Sequence, residues 1–150
     1  MPSARSRLAW TGSALILTDT SAWVEFDRAT GSVVHRRLAD LIASNAGLVA
    51  VTEPVIAEVA IGARTDEREV QLRRLLARFH LLRFEISDFD AAASIYRRCR
   101  KVGVSPRGLI DCMIAAVAWR HGATLLAQDV DLHRIASVVA IDLDEATSGA

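Results

Sequence analysis

Lysine is almost missing from this chain. Of its 18 cationic residues 17 are arginine and one, Lys101, is lysine, and Phe and Tyr together number five. That bias assigns no function by itself. Cysteine is as scarce: Cys99 and Cys112 stand in apolar or helical-looking contexts without a CxxC, which argues against a disulfide scaffold or a zinc site and for reduced core thiols. No stretch approaches the roughly 18 consecutive apolar residues of a membrane span, so no membrane role is expected. Net charge is absent too, with 18 Lys and Arg against 18 Asp and Glu. A polybasic nucleic-acid binder is therefore disfavoured, but a neutral sum can hide an uneven distribution.

What is present is apolar bulk, 51% of 150 residues, with a mean hydropathy of +0.24. Such a chain fits one compact domain burying roughly two thirds of its unfolded surface. Disorder would pair low hydrophobicity with high net charge. Arg5 and Arg7 ahead of an apolar stretch mimic a signal peptide, but Thr11, Gly12 and Ser13 interrupt it and ALILTD reads as a buried strand. The expectation is a cytoplasmic protein with a flexible basic N-terminal extension at 1–13, one domain at 14–143 and a loose C-terminal tail at 144–150.

Short apolar runs alternate with longer helical patterns, the signature of an α/β fold in which helices cover both faces of a parallel sheet. Strands are expected at 14–18, 48–52, 81–86, 123–127 and 138–141. Helices are expected at 21–26, 32–44, 54–63, 66–79, 87–102, 109–121 and 132–136. Asp88 or Ser87 can cap the helix that follows, and Gly103 and Gly122 fit helix ends. The predicted architecture is three-layer α/β/α around a mostly parallel sheet of four to five strands.

Single carboxylates interrupting uncharged runs carry the chemistry. Asp19 is the only charge between Arg7 and Glu25, Glu58 the only one between Glu53 and Arg64, and Asp111 the only one between Arg107 and Arg120. Asp129 follows the fourth strand. A carboxylate in apolar surroundings is costly unless paired, hydrogen-bonded or metal-bound. Only Arg107 lies four residues from one of these acids, and it precedes Gly108, so it is expected outside the helix. In an open parallel sheet, ligands sit beyond the carboxyl ends of the strands, where strand order reverses. Several carboxylates gathered there without histidine or thiolate favour a hard cation, Mg²⁺ or Mn²⁺. Asp19 and Asp129 could each instead serve simply as helix caps; Glu58 and Asp111 fall within apolar helical stretches and could not.

LTDTSAW at 17–23, TEPVIAEVAIG at 52–62 and PRGLIDCMIAAVAWRHGATLLAQDVDLHRIA at 106–136, with acids in the order Asp, Glu, Asp, Asp, resemble the PIN-domain ribonucleases, specifically VapC-type toxins of toxin-antitoxin systems. The resemblance runs from about residue 15 to 141. It implies a Mg²⁺-dependent endoribonuclease with Asp19, Glu58, Asp111 and Asp129 as its acidic quartet. Asp19 and Asp111 would be the principal ligands, and Glu58 and Asp129 would complete the site. It further implies Ser21 as a hydroxyl beside the first Asp, and products bearing a 3′-hydroxyl and a 5′-phosphate. A cognate VapB-type antitoxin and a homodimer would be its partners. Asp131 is an auxiliary acid or a solvated helix-start residue. Arg97, Arg98, Arg100, Lys101 and Arg107, five cations without an acid between them, are the first candidates for RNA-backbone contact.

The chain departs from that family in three places. Many relatives carry Thr or Ser where this chain has Ala127, residues 1–13 precede the usual start, and Glu53 is a second acid near Glu58. Glu53 and Glu58 lie about 140° apart on a helix, so both should not face one metal. A PIN-like module that binds RNA or a partner without catalysis is one alternative. A phosphoaspartyl receiver or haloacid-dehalogenase-type phosphatase is another. The phosphatase requires an Asp where Ser21 stands, and the receiver requires a strand-end Lys, whereas Lys101 is on a predicted helix.

Overall fold

Four short strands form one all-parallel sheet in the order β3-β2-β1-β4. They are β1 (Ile16–Thr18), β2 (Val49–Val51), β3 (His80–Leu81) and β4 (Thr124–Leu126), in a computed structural model that describes residues 15–147. Ile16 is paired with Val49 on one side and Thr124 on the other. Every residue of β1 and β2 is buried, as helices covering both faces require, and the one polar member, Thr18, donates its hydroxyl to the Ala50 carbonyl at 2.8 Å.

Seven α-helices surround the sheet among the described residues: α1 (Thr20–Asp27), α2 (Val33–Ser44), α3 (Glu53–Ile61), α4 (Asp66–Leu76), α5 (Ile86–Lys101), α6 (Leu109–His121) and α7 (Val130–Val138). Four of them start where a polar side chain accepts a first-turn N–H, namely Asp19 for α1, Ser32 for α2, Thr65 for α4 and Asp129 for α7. Helix α6 stops at Gly122, whose φ of 60° is the left-handed conformation that glycine adopts without penalty. The helices pack in two groups that touch where α3 meets α6: α1 lies against α2 and α3, and α3 against α4, while α5, α6 and α7 pack on one another. This is the α/β/α layering expected from the sequence. Leu17, Leu38, Val49, Ile114 and Leu125 are fully buried, and truncating such a residue to Ala costs about 2–5 kcal/mol.

The strand order positions the site. β2 and β4 flank β1, so the chain leaves β1 toward one side and later returns to the other. A crevice therefore opens at the carboxyl end of β1. Asp19 directly follows β1, and Asp129 lies three residues beyond β4.

Several expected boundaries move. The run at 138–141 is not a strand. Helix α7 continues through Val138, burying Leu132 and Ile135 at helical spacing, and the segment beyond touches β4 at one parallel bridge, Leu125 with Leu143. The strand expected at 81–86 ends at Leu81, because the Phe84 N–H is taken by the Glu53 carboxylate at 2.7 Å and α5 begins at Ile86. The cap of α5 is Glu85, not Ser87 or Asp88. Asp88 occupies the third helical position and accepts from the Glu85 N–H, completing a reciprocal capping box.

The C-terminal segment is also packed rather than loose through Thr147. Asp144, Ala146 and Thr147 are buried, and Asp144 is bound by Arg37 of α2 at 3.1 Å. The extension at 1–13 and residues 148–150 lie outside the described residues. Cys99 and Cys112 are free and buried, and burial pushes the Cys112 thiol up to about 12.

Candidate metal centre

Asp19 is built into the junction of β1 and α1. Its N–H donates to the Leu126 carbonyl of β4 at 2.9 Å, and its Oδ2 accepts from the Ser21 N–H at 3.0 Å and from Ser21 Oγ at 2.6 Å. Ser21 Oγ in turn accepts from the Gln128 N–H at 2.9 Å. One serine thus ties the end of β1 to the loop after β4. Asp19 Oδ1 is buried and has no hydrogen-bonding partner among the described residues. Burial pushes the Asp19 carboxyl up to about 6; the two Ser21 hydrogen bonds pull against it, and the charges of Asp129 and Glu58 add to it.

The other acids arrive from three helices. Glu58, on α3, accepts from Thr20 Oγ1 at 2.7 Å. Asp111 stands in the first turn of α6, where the helix dipole favours negative charge. Burial nevertheless pushes its carboxyl up to about 7, reinforced by the charges of Asp19, Asp129, Glu58 and Asp131. Asp129 caps α7, its Oδ1 accepting from the Asp131 N–H at 2.7 Å. Asp19, Glu58, Asp111 and Asp129 all line one cleft of about 380 Å³ together with Thr20, Ser21, Val24, Glu25, Arg28 and Gln128.

Oxygens of Asp111, Asp129 and Asp131 lie within 4.8 Å of one another, close enough to share a cation. Asp131 is therefore not a solvated helix-start residue. It is 6% exposed, and its Oδ2 lies 2.6 Å from Arg107 Nε. Glu53 points elsewhere, toward Phe84, as its angular offset from Glu58 required. These carboxylates raise one another's proton affinity, and the group of Asp111, Asp129 and Asp131 could hold a metal ion, with Asp19 and Glu58 lining the same cleft.

The basic run divides in two. Arg97, Arg98, Arg100 and Lys101 are exposed on the last turns of α5, and none of them lines the cleft. Arg107, in the loop before α6, is held to the acidic group through Asp131 and has its proton affinity raised by that bond and by the charges around it. Sequence reasoning did not single out Thr20, Arg28 or Gln128. Thr20 had a usable signal, being a hydroxyl between two site residues at the first position of a strand-end helix.

A family model described as the PIN domain matches residues 16–138. Ribonuclease VapC11 of Mycobacterium tuberculosis is 42% identical over 125 residues, covering 83% of this chain and 93% of the relative. Among solved structures, VapBC2 from Rickettsia felis bound to a promoter DNA fragment is similar with a TM-score of 0.69 at 19% identity, covering 87% of this chain and 97% of that one. VapC20 of Mycobacterium tuberculosis, described as a sarcin-ricin loop cleaving toxin, is similar with a TM-score of 0.64 at 21% identity, covering 85% and 98%. Among the described residues no helix is long and apolar enough to cross a membrane.

Proposed function

The chain belongs to the PIN-domain family, among the VapC ribonucleases, and from that premise we propose that it is a Mg²⁺-dependent endoribonuclease toxin restrained by a cognate VapB-type antitoxin. The observation that carries the reading is the convergence of Asp19, Glu58, Asp111 and Asp129 on one cleft, with Asp19 Oδ1 buried and without a partner among the described residues. Asp19 and Asp111 would hold the cation, Mg²⁺ or Mn²⁺, with Glu58, Asp129 and the auxiliary Asp131 around it. When bound, it supplies Lewis acidity toward the scissile phosphate and lowers the pKa of a coordinated water.

The chain's own residues set the geometry for that chemistry. Ser21 fixes the rotamer of Asp19, and Thr20 does the same for Glu58. Arg107 neutralises Asp131 and presents its exposed guanidinium beside the acids, where it would hold the RNA backbone. Arg97, Arg98, Arg100 and Lys101 would attract the strand from α5. Hydrolysis would leave a 3′-hydroxyl and a 5′-phosphate.

Exposed apolar residues flank the site: Val24 in the cleft wall, Leu109 and Ile110 before Asp111, and Val130 after Asp129. They suit the apolar helix of an antitoxin. Activity in the cytoplasm and assembly as a homodimer complete the proposal. Mass measurement of the protein expressed alone and with its genomic neighbour tests the partners. The function itself is tested by Mg²⁺-dependent cleavage of total RNA, which wild type performs and Asp19→Asn does not; equal cleavage by both overturns the mechanism.

A further inference from the structure

The C-terminal segment reaches the backbone that carries the acidic site. Beyond Leu126, where β4 ends, the chain runs on through Ala127, Gln128 and Asp129, and the backbone groups from Leu125 to Gln128 alternate between two sides. On the β1 side, the Leu126 carbonyl accepts from the Asp19 N–H at 2.9 Å, and the Gln128 N–H donates to Ser21 Oγ at 2.9 Å. On the outer side, the Ala127 N–H donates to Thr147 Oγ1 at 3.1 Å, and the same hydroxyl donates to the Leu125 carbonyl at 2.9 Å. Ala127 is fully buried and Thr147 is 9% exposed.

We infer that Thr147 is a positioning residue for the metal centre, and that the segment from Asp144 to Thr147 belongs to the site's support. Ala127 has no hydroxyl of its own, and without Thr147 its N–H would be left buried and unpaired, a loss that backbone avoids by shifting. Such a shift moves the peptide one residue before Gln128, whose N–H orients Ser21 and through it Asp19 Oδ2. It also moves the residue two positions before Asp129. One hydroxyl therefore braces two of the proposed ligands from outside the sheet. The segment is anchored independently of Thr147: Arg37 binds the Asp144 carboxylate, and the Asp144 N–H donates to the Leu125 carbonyl at 2.9 Å. Loss of the hydroxyl alone should leave it docked.

The inference rests on the proposed metal site, so its test reads metal binding directly. Mn²⁺ affinity is measured by calorimetry on the full chain for wild type, Thr147→Val and Thr147→Ser, with amide exchange at Ala127 followed by NMR. The valine variant is expected to bind Mn²⁺ about 10-fold more weakly, to lose protection at the Ala127 amide and to lower kcat more than it raises KM, while serine restores all three. If Thr147→Val does not fold, Thr147→Ala, which crowds nothing, is read in its place. Wild-type Mn²⁺ affinity in the hydroxyl-less variant, or serine as weak as valine, overturns the inference. A wild type that binds no Mn²⁺ removes the metal-site reading and this one with it.

Discussion

Arg107 Nε lies 2.6 Å from Asp131 Oδ2, joining a side chain that is 75% exposed to one that is 7% exposed. The bond carries a cation from the loop before α6 to the acid at the start of α7, beside Asp111 and Asp129. Asp131 is thereby neutralised, and the guanidinium keeps donors free on its solvent side.

Replacing Arg107 with Ala should accordingly act on substrate more than on chemistry. RNA cleavage is expected to show a KM several-fold higher with a smaller change in kcat, and a salt dependence of binding shallower by about one unit of slope, as for one lost phosphate contact. Steady-state kinetics and binding across a salt series check this. An unchanged salt slope would place Arg107 in structure alone.

Ser21→Ala removes the hydroxyl that links Asp19 Oδ2 to the Gln128 N–H. Asp19 keeps its hydrogen bond from the Ser21 backbone, so the helix cap survives. Activity and Mn²⁺ affinity should each fall by about 10-fold while Tm changes little. Ser21→Thr, which retains the hydroxyl, should recover most of both; parallel calorimetry and cleavage assays measure the difference.

Arg28 lines the cleft itself, and no ion pair engages it among the described residues. The α5 cations stand outside the cleft. Charge reversal at Arg28 should therefore weaken RNA binding more than reversal at Arg97 or Lys101, each measured singly by fluorescence anisotropy at low salt. The opposite ranking would move the RNA path onto α5.

Much of this arrangement was legible because isolated charges stand out in uncharged runs. Asp19, Glu58 and Asp111 are visible that way and Asp129 by its place after the fourth strand, and parallel-sheet topology explains why they meet. The less visible parts depend on contacts remote in sequence. A short apolar run such as 138–141 reads equally as helix or strand, but packing of Leu132 and Ile135 extends α7 only through Val138 and the rest of the run leaves the helix as a turn. The strand at His80 is cut short by a carboxylate from Glu53, which no local pattern announces. The C-terminal segment reads as a loose tail because Arg37, the partner of Asp144, lies 107 residues away. Asp131 likewise reads as exposed until Arg107 is placed against it.

The same acids that equip the site should weaken the metal-free fold as pH rises. Burial pushes the carboxyls of Asp19 and Asp111 from an ordinary 3.8 up to about 6 and about 7, so between pH 4 and 7 the folded state holds more protons than the unfolded state. Stability then falls with rising pH across that window, because the unfolded chain releases those protons first. Asp111→Asn removes one of these charges without changing the side chain's shape. In the presence of a chelator its Tm should exceed that of wild type at pH 8 and approach it at pH 5, while nuclease activity is lost. Mn²⁺ should raise the wild-type Tm, more at pH 8 than at pH 6, since the ligands must be deprotonated to bind. Asp111→Asn should gain little from Mn²⁺. Thermal unfolding across pH, with and without Mn²⁺, reads all of these, and a wild-type Tm in chelator that climbs from pH 5 to 8 would contradict the buried-acid account of the site.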